Sequence, residues 1–452
     1  MEGIGAMSSR LRSMSVTGLA LWLALPCLGE PAKPEEPLTL EQAVGQALAN
    51  NPSLPVAARK IEAAKARIGQ AAAQSKATVD LSGRYTRQGP TVSFNIPGGG
   101  SSQIVPPDSH NVNVHAQKVI YSGGRLQRAP VAAEHAASAA EHDYETAREA
   151  VALNVKQAYF GVLKARRFRE VAEEAVTQAA EHRRLAGVRF EAGAVAKFDV
   201  IRSEVEVANA QQQLVEADSA VGVAEAAFNS ALGRPLETPV VLAAAAPAPE
   251  FTLKLDTCLS AAAASRPELQ SLAATTQAAE TQLEIAQAGK KPTVAVTADY
   301  NRKVATAFGS DYDWNTTLSV QLPILDGKLT RARTEEASAT VAQLAGSREQ
   351  LLQGIALQVK SAYLSADQSF RRIATATKTI EQAQEALRIA RVRYENGMGT
   401  NIEVSDAELA LTQAKTNEAR ALYDYYAALA DLEHAVGQDQ AALLQAQGEK
   451  AG

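Results

Sequence analysis

The sequence predicts a mainly α-helical protomer with a membrane β-barrel segment. It would be a tandem-duplicated chain whose three copies form a 12-strand β-barrel, continued by a long α-helical barrel. Three observations predict this fold: an internal repeat across nearly the whole chain, two pairs of alternating strands, and helical stretches too long for a globular domain. The chain has 452 residues, and its 5% aromatic content favours helices packed through small side chains.

The amino terminus predicts an export signal over residues 1–29. Arg10 and Arg12 supply the positive start, and an apolar run over 16–28 follows. The alternative is an uncleaved membrane anchor, for which this run is short. A Pro-rich linker, 30–37, would then lead into the mature fold.

The cysteines leave one question open. Cys27 lies at the end of the signal and invites lipidation, but Pro26 before it fits a lipobox poorly. The cleavage site and a second start at Met7 are open as well. After cleavage Cys258 would be the only cysteine left, which excludes an intramolecular disulfide.

The chain contains a tandem duplication. Residues 38–85 align without gaps to 253–300, at a constant offset of 215, and residues 120–233 align to 324–437, at an offset of 204. The difference of 11 residues falls in the Gly- and Pro-rich loop 89–110. The predicted division is therefore a first repeat, a linker, a second repeat and a C-terminal tail, at 38–237, 238–252, 253–437 and 438–452.

Each repeat opens with two helices and a strand. Thr39 followed by Gln42 predicts a capping box for a helix ending near Asn50, and Pro52 predicts the start of a second helix. Near Ala77 the apolar period changes from 3.6 to 2, which predicts a strand.

The strands are about ten residues long, which suits a tilted crossing of a bilayer. In the second repeat, Val294, Val296 and Ala298 alternate with polar residues, and Tyr312 and Trp314 lie where an interfacial aromatic girdle would be. Two ordinary surface hairpins, each with one buried face, are the alternative at this point.

Two long helical hairpins complete the repeats. In the first, 125–191 would run out and 198–232 return; in the second, 327–395 and 402–436 do the same. The longer helices would reach about 100 Å. In the second repeat an apolar stripe follows the long helix at coiled-coil spacing. Its members are Leu351, Ile355, Val359, Ile373, Ile380, Leu387 and Tyr394.

Four strands cannot close a barrel, because their edges would present unpaired backbone groups to lipid. Sharing strands among identical subunits solves this problem. Three protomers would supply twelve strands, and their helices would continue below the barrel as a cylinder.

The sequence resembles the TolC-like outer-membrane efflux protein family, also called outer-membrane factors. The resemblance covers residues 38–437 and is carried by LTLEQA at 38–43, ILDGK at 324–328, RYENG at 393–397 and IEVSDA at 402–407. It implies a homotrimer that spans the outer membrane and extends into the periplasm. It also implies docking to a periplasmic adaptor (membrane fusion protein) and to an inner-membrane pump of the RND, ABC or MFS type.

The resemblance also implies a periplasmic aperture. Glu403 and Asp406 match the positions of aperture carboxylates, and their spacing of three near a helix start puts both on one face, where the helix dipole favours acids. Threefold symmetry would make each a ring that attracts cations. The alternative is that both are ordinary helix-start acids on a solvated face.

Tyr394 matches the family's gating tyrosine, and Asp199, the first-repeat equivalent of Glu403, would accept a hydrogen bond from its neighbour. The loop after Tyr394 carries no arginine where such members place one, so the contacts that hold the aperture closed would be built differently. A packing role for Tyr394 without gating is the alternative. The hairpin tips that would contact the adaptor are Gly193, Ala194, Val195, Gly397, Met398 and Gly399.

Other function classes receive no support from the sequence. The net charge of −5 and the lack of a basic stripe argue against nucleic-acid binding. The sequence shows no catalytic constellation and no cofactor motif. His135 and His142 lie seven residues apart, whereas a local metal pair would need them one helical turn apart. We therefore predict the outer-membrane channel-tunnel of a tripartite efflux or type I secretion system, with outer-membrane lipid around it and no enzymatic activity. A structural periplasmic coiled-coil scaffold is the alternative, and the sequence leaves the cargo open.

Overall fold

The structure is a computed structural model that describes residues 37–90, 93–95, 97–99, 101–103, 107–304 and 311–438. The described residues from Leu38 onward belong to one compact unit. The predicted signal 1–29, most of the linker 30–37 and nearly all of the tail 438–452 lie outside the described residues.

Each repeat contributes four α-helices and two strands of a common sheet. The first-repeat elements are α1 (Leu40–Asn50), α2 (Ser53–Ala73), β1 (Thr78–Arg87), β2 (Ser93–Asn95), β3 (Ser101–Gln103), β4 (Asp108–Tyr121), α3 (Arg125–Glu191) and α4 (Lys197–Leu232). The second-repeat elements are α5 (Leu255–Ser265), α6 (Pro267–Gln287), a 3₁₀ turn (Ala288–Lys290), β5 (Thr293–Val304), β6 (Tyr312–Gln321), α7 (Leu329–Glu395) and α8 (Asn401–Val436).

The helix lengths confirm the duplication. The long helices α3 and α7 each have 67 residues, and their partners α4 and α8 each have 36. The predicted capping box is present, since the Gln42 N–H donates to the Thr39 hydroxyl at 3.3 Å and the Thr39 N–H donates to the Gln42 side chain at 2.9 Å. Proline opens the second helix of each repeat, with Pro52 just before α2 and Pro267 at the first position of α6.

The four longer strands form one antiparallel sheet in the order β1-β4-β5-β6. The pairing of β4 with β5 joins the two repeats, so the alternative of two separate surface hairpins is wrong. Within the described residues β1 and β6 each have an edge without a partner strand. The prediction missed the small hairpin of β2 and β3, which lies in the enlarged loop 89–110.

The register gives the sheet one apolar and one polar face. One cross-strand row reads Leu81, Val114, Tyr300 and Trp314. On the opposite face, His115 Nδ1 lies 2.7 Å from a carboxylate oxygen of Asp299. The large apolar side chains at both edges of the row are exposed, as are Val79 and Leu318. A single protomer therefore leaves the apolar face uncovered.

Helix α3 is the central element of the helical part. It packs against α2 and α4 of its own repeat and against α6 and α8 of the second. The α3–α8 contact is rich in ion pairs: Lys156 meets Glu433 at 2.6 Å, and Lys164 meets Asp424 at 2.6 Å. The two repeats are thus joined along their helices as well as through the sheet.

The apolar stripe predicted on α7 is confirmed. Ile355, Val359, Leu387 and Tyr394 are buried, and the remaining members pack against the same clusters from half-buried positions. Many of the buried residues along α8 are alanines, which lets neighbouring helices approach closely.

Tyrosines fix the segment 238–252, which connects the repeats and is called the connecting segment below. The Tyr159 hydroxyl donates to the Ala243 carbonyl at 2.8 Å, and that of Tyr425 donates to the Pro249 carbonyl at 2.8 Å. The Tyr426 hydroxyl bonds to the Ala246 carbonyl. Burial raises the pKa of Tyr425 to about 12, because the phenolate would lose its hydration.

Among the described residues, we find no helix with both the length and the hydropathy that a membrane-spanning helix requires.

Candidate functional site at the helical hairpin ends

The two hairpin tips are built alike. Gly193 and Gly397 both adopt a left-handed backbone, with φ of 71° and 76°, directly after the last turn of a long helix. In the first tip the Ala194 N–H donates to the Arg189 carbonyl at 2.8 Å, and in the second the Met398 N–H donates to the Arg393 carbonyl at 2.8 Å. These bonds satisfy helix-end carbonyls, and glycine accepts the positive φ without strain.

The two tips expose equivalent positions but carry different side chains there. Ala194 and Met398 both face solvent, whereas Val195 is half-buried and packs against the cluster that contains Tyr394. A Cβ on Gly399 would lie 3.0 Å from the Tyr394 backbone nitrogen, so this position needs glycine for close approach.

Glu403 and Asp406 lie exposed in the first two turns of α8. The Thr400 hydroxyl caps this helix by accepting from the Glu403 N–H at 3.3 Å. The Glu403 carboxylate faces Arg393 at 3.6 Å. Asp406 forms no ion pair with the residues that the structure describes. The uncompensated charge of this pair therefore belongs to Asp406.

The corresponding positions in the first repeat, at the offset of 204, are Asp199 and Arg202. Arg202 pairs with Glu206 on its own helix at 3.2 Å, and the Ser405 hydroxyl donates to the same Glu206 at 2.7 Å. An acid in the second repeat is thus replaced by a base in the first. The exposed acidic pair is a property of the second hairpin.

Tyr394 is 2% exposed. Its hydroxyl is buried and makes no hydrogen bond with any described residue. Burial raises the pKa of Tyr394, while the nearby Arg189 acts to lower it and Asp199 to raise it. The structure brings Tyr394 and Asp199 into one neighbourhood, but the Tyr394 hydroxyl does not donate a hydrogen bond to the Asp199 carboxylate.

A buried polar contact next to Tyr394 was not predicted. The His182 ring lies 5.5 Å from the Tyr394 ring, and its Nε2 contacts the side-chain oxygen of Asn401. The Asn401 amide in turn donates to the Asp199 backbone carbonyl at 3.2 Å. This chain of contacts connects α3, α4 and α8, the first two from one repeat and the third from the other.

Two further charged residues were missed. Glu408 is buried on α8 and accepts from Arg391 at 2.7 Å, and burial raises the pKa of Glu408 against the opposing effect of the arginine. The Arg189 guanidinium lies over the Tyr394 ring, with Cζ 4.5 Å from the ring centroid. Comparing the two repeats position by position would have drawn attention to Arg189, since it is the equivalent of Arg393.

The duplicated fold and its paired hairpins define a class of protein, the channel subunits that span the outer membrane and extend into the periplasm. The family model for the outer membrane efflux protein matches residues 43–234 and 258–438, one segment for each repeat. The chain belongs to this family.

Known proteins of similar sequence include nodulation protein T of Rhizobium leguminosarum bv. trifolii, which is 23% identical over 430 residues, 93% of this chain and 88% of that protein. Protein CyaE of Bordetella pertussis is 26% identical over 412 residues, 89% of this chain and 83% of that protein. Among solved structures, the CmeC outer membrane channel of Campylobacter jejuni aligns with a TM-score of 0.76 at 19% identity, covering 91% of this chain and 89% of that one.

The chain is therefore an outer-membrane efflux channel. Its family consists of transport channels rather than enzymes, and its members form trimeric channels that work with an adaptor and an inner-membrane pump. This finding decides against the periplasmic scaffold that the sequence had left as an alternative.

Proposed function

We propose that the second hairpin forms a cation-selecting aperture at the periplasmic end of the trimer. The observation that carries this proposal is the charge difference between the repeats. Asp406 is exposed and lacks an ion-pair partner among the described residues, whereas its first-repeat equivalent is Arg202. Three copies of Asp406, with Glu403 one turn away, would concentrate negative charge around the pore and attract cations.

The proposal extends to the neighbours of the chain. The tips 193–195 and 397–399 would contact the periplasmic adaptor, since each lies at the end of a helical hairpin and its first two residues are exposed. The unpartnered edges of β1 and β6 would pair between subunits to give the twelve-stranded barrel, with the apolar face toward lipid and the polar face toward the pore. The pump would be of the RND, ABC or MFS type.

The cargo is left open between small ions and polypeptides. Relatives of this chain include a cobalt-zinc-cadmium resistance protein of Cupriavidus metallidurans and an alkaline protease secretion protein of Pseudomonas aeruginosa. Because related channels serve such different systems, the pump rather than the channel would select the substrate.

The aperture is tested by the reversal potential of the purified protein in a planar bilayer under a KCl gradient. We expect Asp406→Asn to reduce the cation preference, and Glu403→Gln with Asp406→Asn to reduce it further. Arg393→Gln should raise the cation preference, because it uncovers the Glu403 charge now faced at 3.6 Å.

A matched control is Glu349→Gln, which removes an exposed acid from α7, 46 positions before Glu395. At 1.5 Å per residue this site lies about 70 Å from the tip, far beyond the ~8 Å screening length in physiological salt. Selectivity that stays unchanged in the Asp406 variants, or that changes equally in the control, would refute the aperture assignment.

A further inference from the structure

The duplication supplies an internal comparison at the hairpin ends. Arg189 and Phe190 of the first repeat correspond to Arg393 and Tyr394 of the second. Arg393 stays within its own hairpin, where it faces Glu403 at 3.6 Å and donates to the Met398 carbonyl at 3.3 Å. Repeat symmetry would therefore direct Arg189 toward Asp199, the equivalent of Glu403.

Arg189 departs from this symmetry. It forms no ion pair with Asp199 or with any other residue that the structure describes. Its guanidinium instead lies on the Tyr394 ring of the other hairpin, with 4.5 Å from Cζ to the ring centroid. One guanidinium nitrogen, Nη1, is buried with no hydrogen-bond partner among the described residues, and Nη2 lies 3.6 Å from where a Cβ on Gly397 would be.

The aromatic residues of the two hairpins have diverged in the same way. Phe190 is 42% exposed, whereas Tyr394 is 2% exposed, with Arg189 over its ring and the His182 ring 5.5 Å away. Both Arg189 and His182 belong to α3. The buried ring of the second hairpin therefore contacts two side chains of the first, and Arg189 covers one of its faces.

The Tyr394 hydroxyl does not help to hold the two hairpins together. It is buried inside a single chain, so a neighbouring subunit cannot reach it, and it has no hydrogen-bond partner among the described residues. A buried hydroxyl without a partner is destabilising. A guanidinium stacked on an aromatic face is attractive, and more so when water is partly excluded.

We propose that Arg189 is the latch of the channel: it holds the second hairpin against the first by stacking on Tyr394, and the ring rather than the hydroxyl carries the contact. This inference rests on the proposed role of the hairpin ends as the aperture. Moving the second hairpin away from the first would separate Tyr394 from Arg189 and break the contact in all three subunits. The first repeat thus supplies the arginine that the loop after Tyr394 lacks.

The test measures the open probability of single channels in a planar bilayer. Arg189→Gln should raise the open-to-closed ratio on the order of tenfold for each latch lost. Arg189→Lys, which keeps the charge but loses the planar stack, should fall between this variant and the parent. The matched control is Arg184→Gln on the same helix, since Arg184 forms an exposed pair with Glu181 at 2.6 Å and contacts no other helix through it.

A second pair of variants separates the ring from the hydroxyl. Tyr394→Phe keeps the ring and should leave the open probability at the parent value, whereas Tyr394→Leu should raise it as Arg189→Gln does. Trimer content and circular dichroism confirm that each variant is folded, and Arg189→Gln provides the test if Tyr394→Leu does not fold.

Two results would overturn the latch: an open probability in Arg189→Gln equal to that of Arg184→Gln, or an opening in Tyr394→Phe as large as in Tyr394→Leu. The aperture is judged separately by selectivity. If Asp406→Asn alters cation preference while Arg189→Gln does not alter opening, the latch is wrong and the aperture stands. If neither variant has an effect, the aperture itself is refuted.

Discussion

Removing one hydroxyl, in Tyr159→Phe, tests how the connecting segment is held. Tyr159 is 2% exposed, and its hydroxyl lies 2.8 Å from the Ala243 carbonyl and 3.2 Å from the Leu38 carbonyl. The Leu38 carbonyl also accepts from the Ala243 N–H at 3.0 Å, so it keeps a partner when the hydroxyl is removed. The Ala243 carbonyl is the group that loses its donor.

The size of the effect follows from this inventory. A net hydrogen bond contributes about 1 kcal/mol, and a carbonyl left without a donor raises the loss to about 1–3 kcal/mol. The ring contacts with Phe160 and Phe228, at centroid distances of 5.7 and 6.0 Å, are unchanged in Tyr159→Phe. Tyr159→Ala removes them as well and should cost about 3–5 kcal/mol.

The measurement is the midpoint of thermal unfolding, followed by circular dichroism at fixed protein and detergent concentrations. The matched control is Tyr423→Phe, because the Tyr423 hydroxyl forms no hydrogen bond with the described residues although its ring packs beside Tyr426. We expect parent-like unfolding for the control, a lower midpoint for Tyr159→Phe and the lowest for Tyr159→Ala. If Tyr159→Phe unfolds with the control, ring packing alone holds the segment and the hydroxyl argument fails.

Two further predictions concern acid stability and a helix end. Burial, aided by Arg266, lowers the pKa of His434 below 6.5, so the unfolded chain takes up this proton first as the pH falls. Stability should therefore decrease as the pH falls below 6.5, and His434→Gln should show a flatter dependence of the unfolding midpoint on pH. Equal slopes for the variant and the parent would contradict this prediction. Gly233→Ala should destabilise by about 1–3 kcal/mol, because φ is 73° and the new Cβ would lie 2.8 Å from the Asn50 carbonyl oxygen. In the equivalent Gly437→Ala, the atom nearest to the new Cβ is the Ser265 hydroxyl at 3.3 Å, so this variant should lose less stability in the same unfolding assay. An equal loss in both variants would show that the contact with Asn50 is irrelevant.

The long helices were predictable because three independent signals agree over many residues. Apolar spacing, helix-favouring composition and the absence of proline between Pro130 and Pro235 all indicate long helices over this stretch. The predicted range 125–191 coincides with α3, and 402–436 differs from α8 by one residue at its start. The repeat then provided a second reading of each boundary.

The elements that were missed lack such redundancy. The strands β2 and β3 have three residues each, too few for an alternating pattern to emerge, and they lie in the loop that the second repeat does not match. The β4–β5 pairing joins residues about 190 positions apart, such as Asn113 and Asn301, and no local signal reports it. The tyrosine bonds to the connecting segment use backbone carbonyls, which every residue possesses.

At the candidate site the sequence indicated positions but not contacts. It singled out Glu403 and Asp406 as one pair and Tyr394 and Asp199 as another, and the structure puts Asp199 close enough to Tyr394 to influence its pKa. It had no means of showing that Arg393 faces Glu403 or that Arg189 turns to the opposite hairpin. A side chain with several rotatable bonds chooses its partner by tertiary geometry, so its residue type alone does not fix the contact.

The two repeats differ in charge and burial at equivalent positions of the hairpin tips, whereas one equivalent contact along the shafts is kept. Along the shafts, equivalent residues still do equivalent work, as when the Tyr159 and Tyr363 hydroxyls bond to the Leu38 and Leu253 carbonyls at 3.2 and 3.0 Å. At the tips, the equivalent of Asp406 is Arg202, and the equivalent of the buried Tyr394 is the exposed Phe190. A trimer of unmodified repeats would present six equivalent hairpins, all of which would have to move together. Under the proposed Arg189 latch, distinct charges and distinct burial would let the three first hairpins stay fixed while the three second hairpins move.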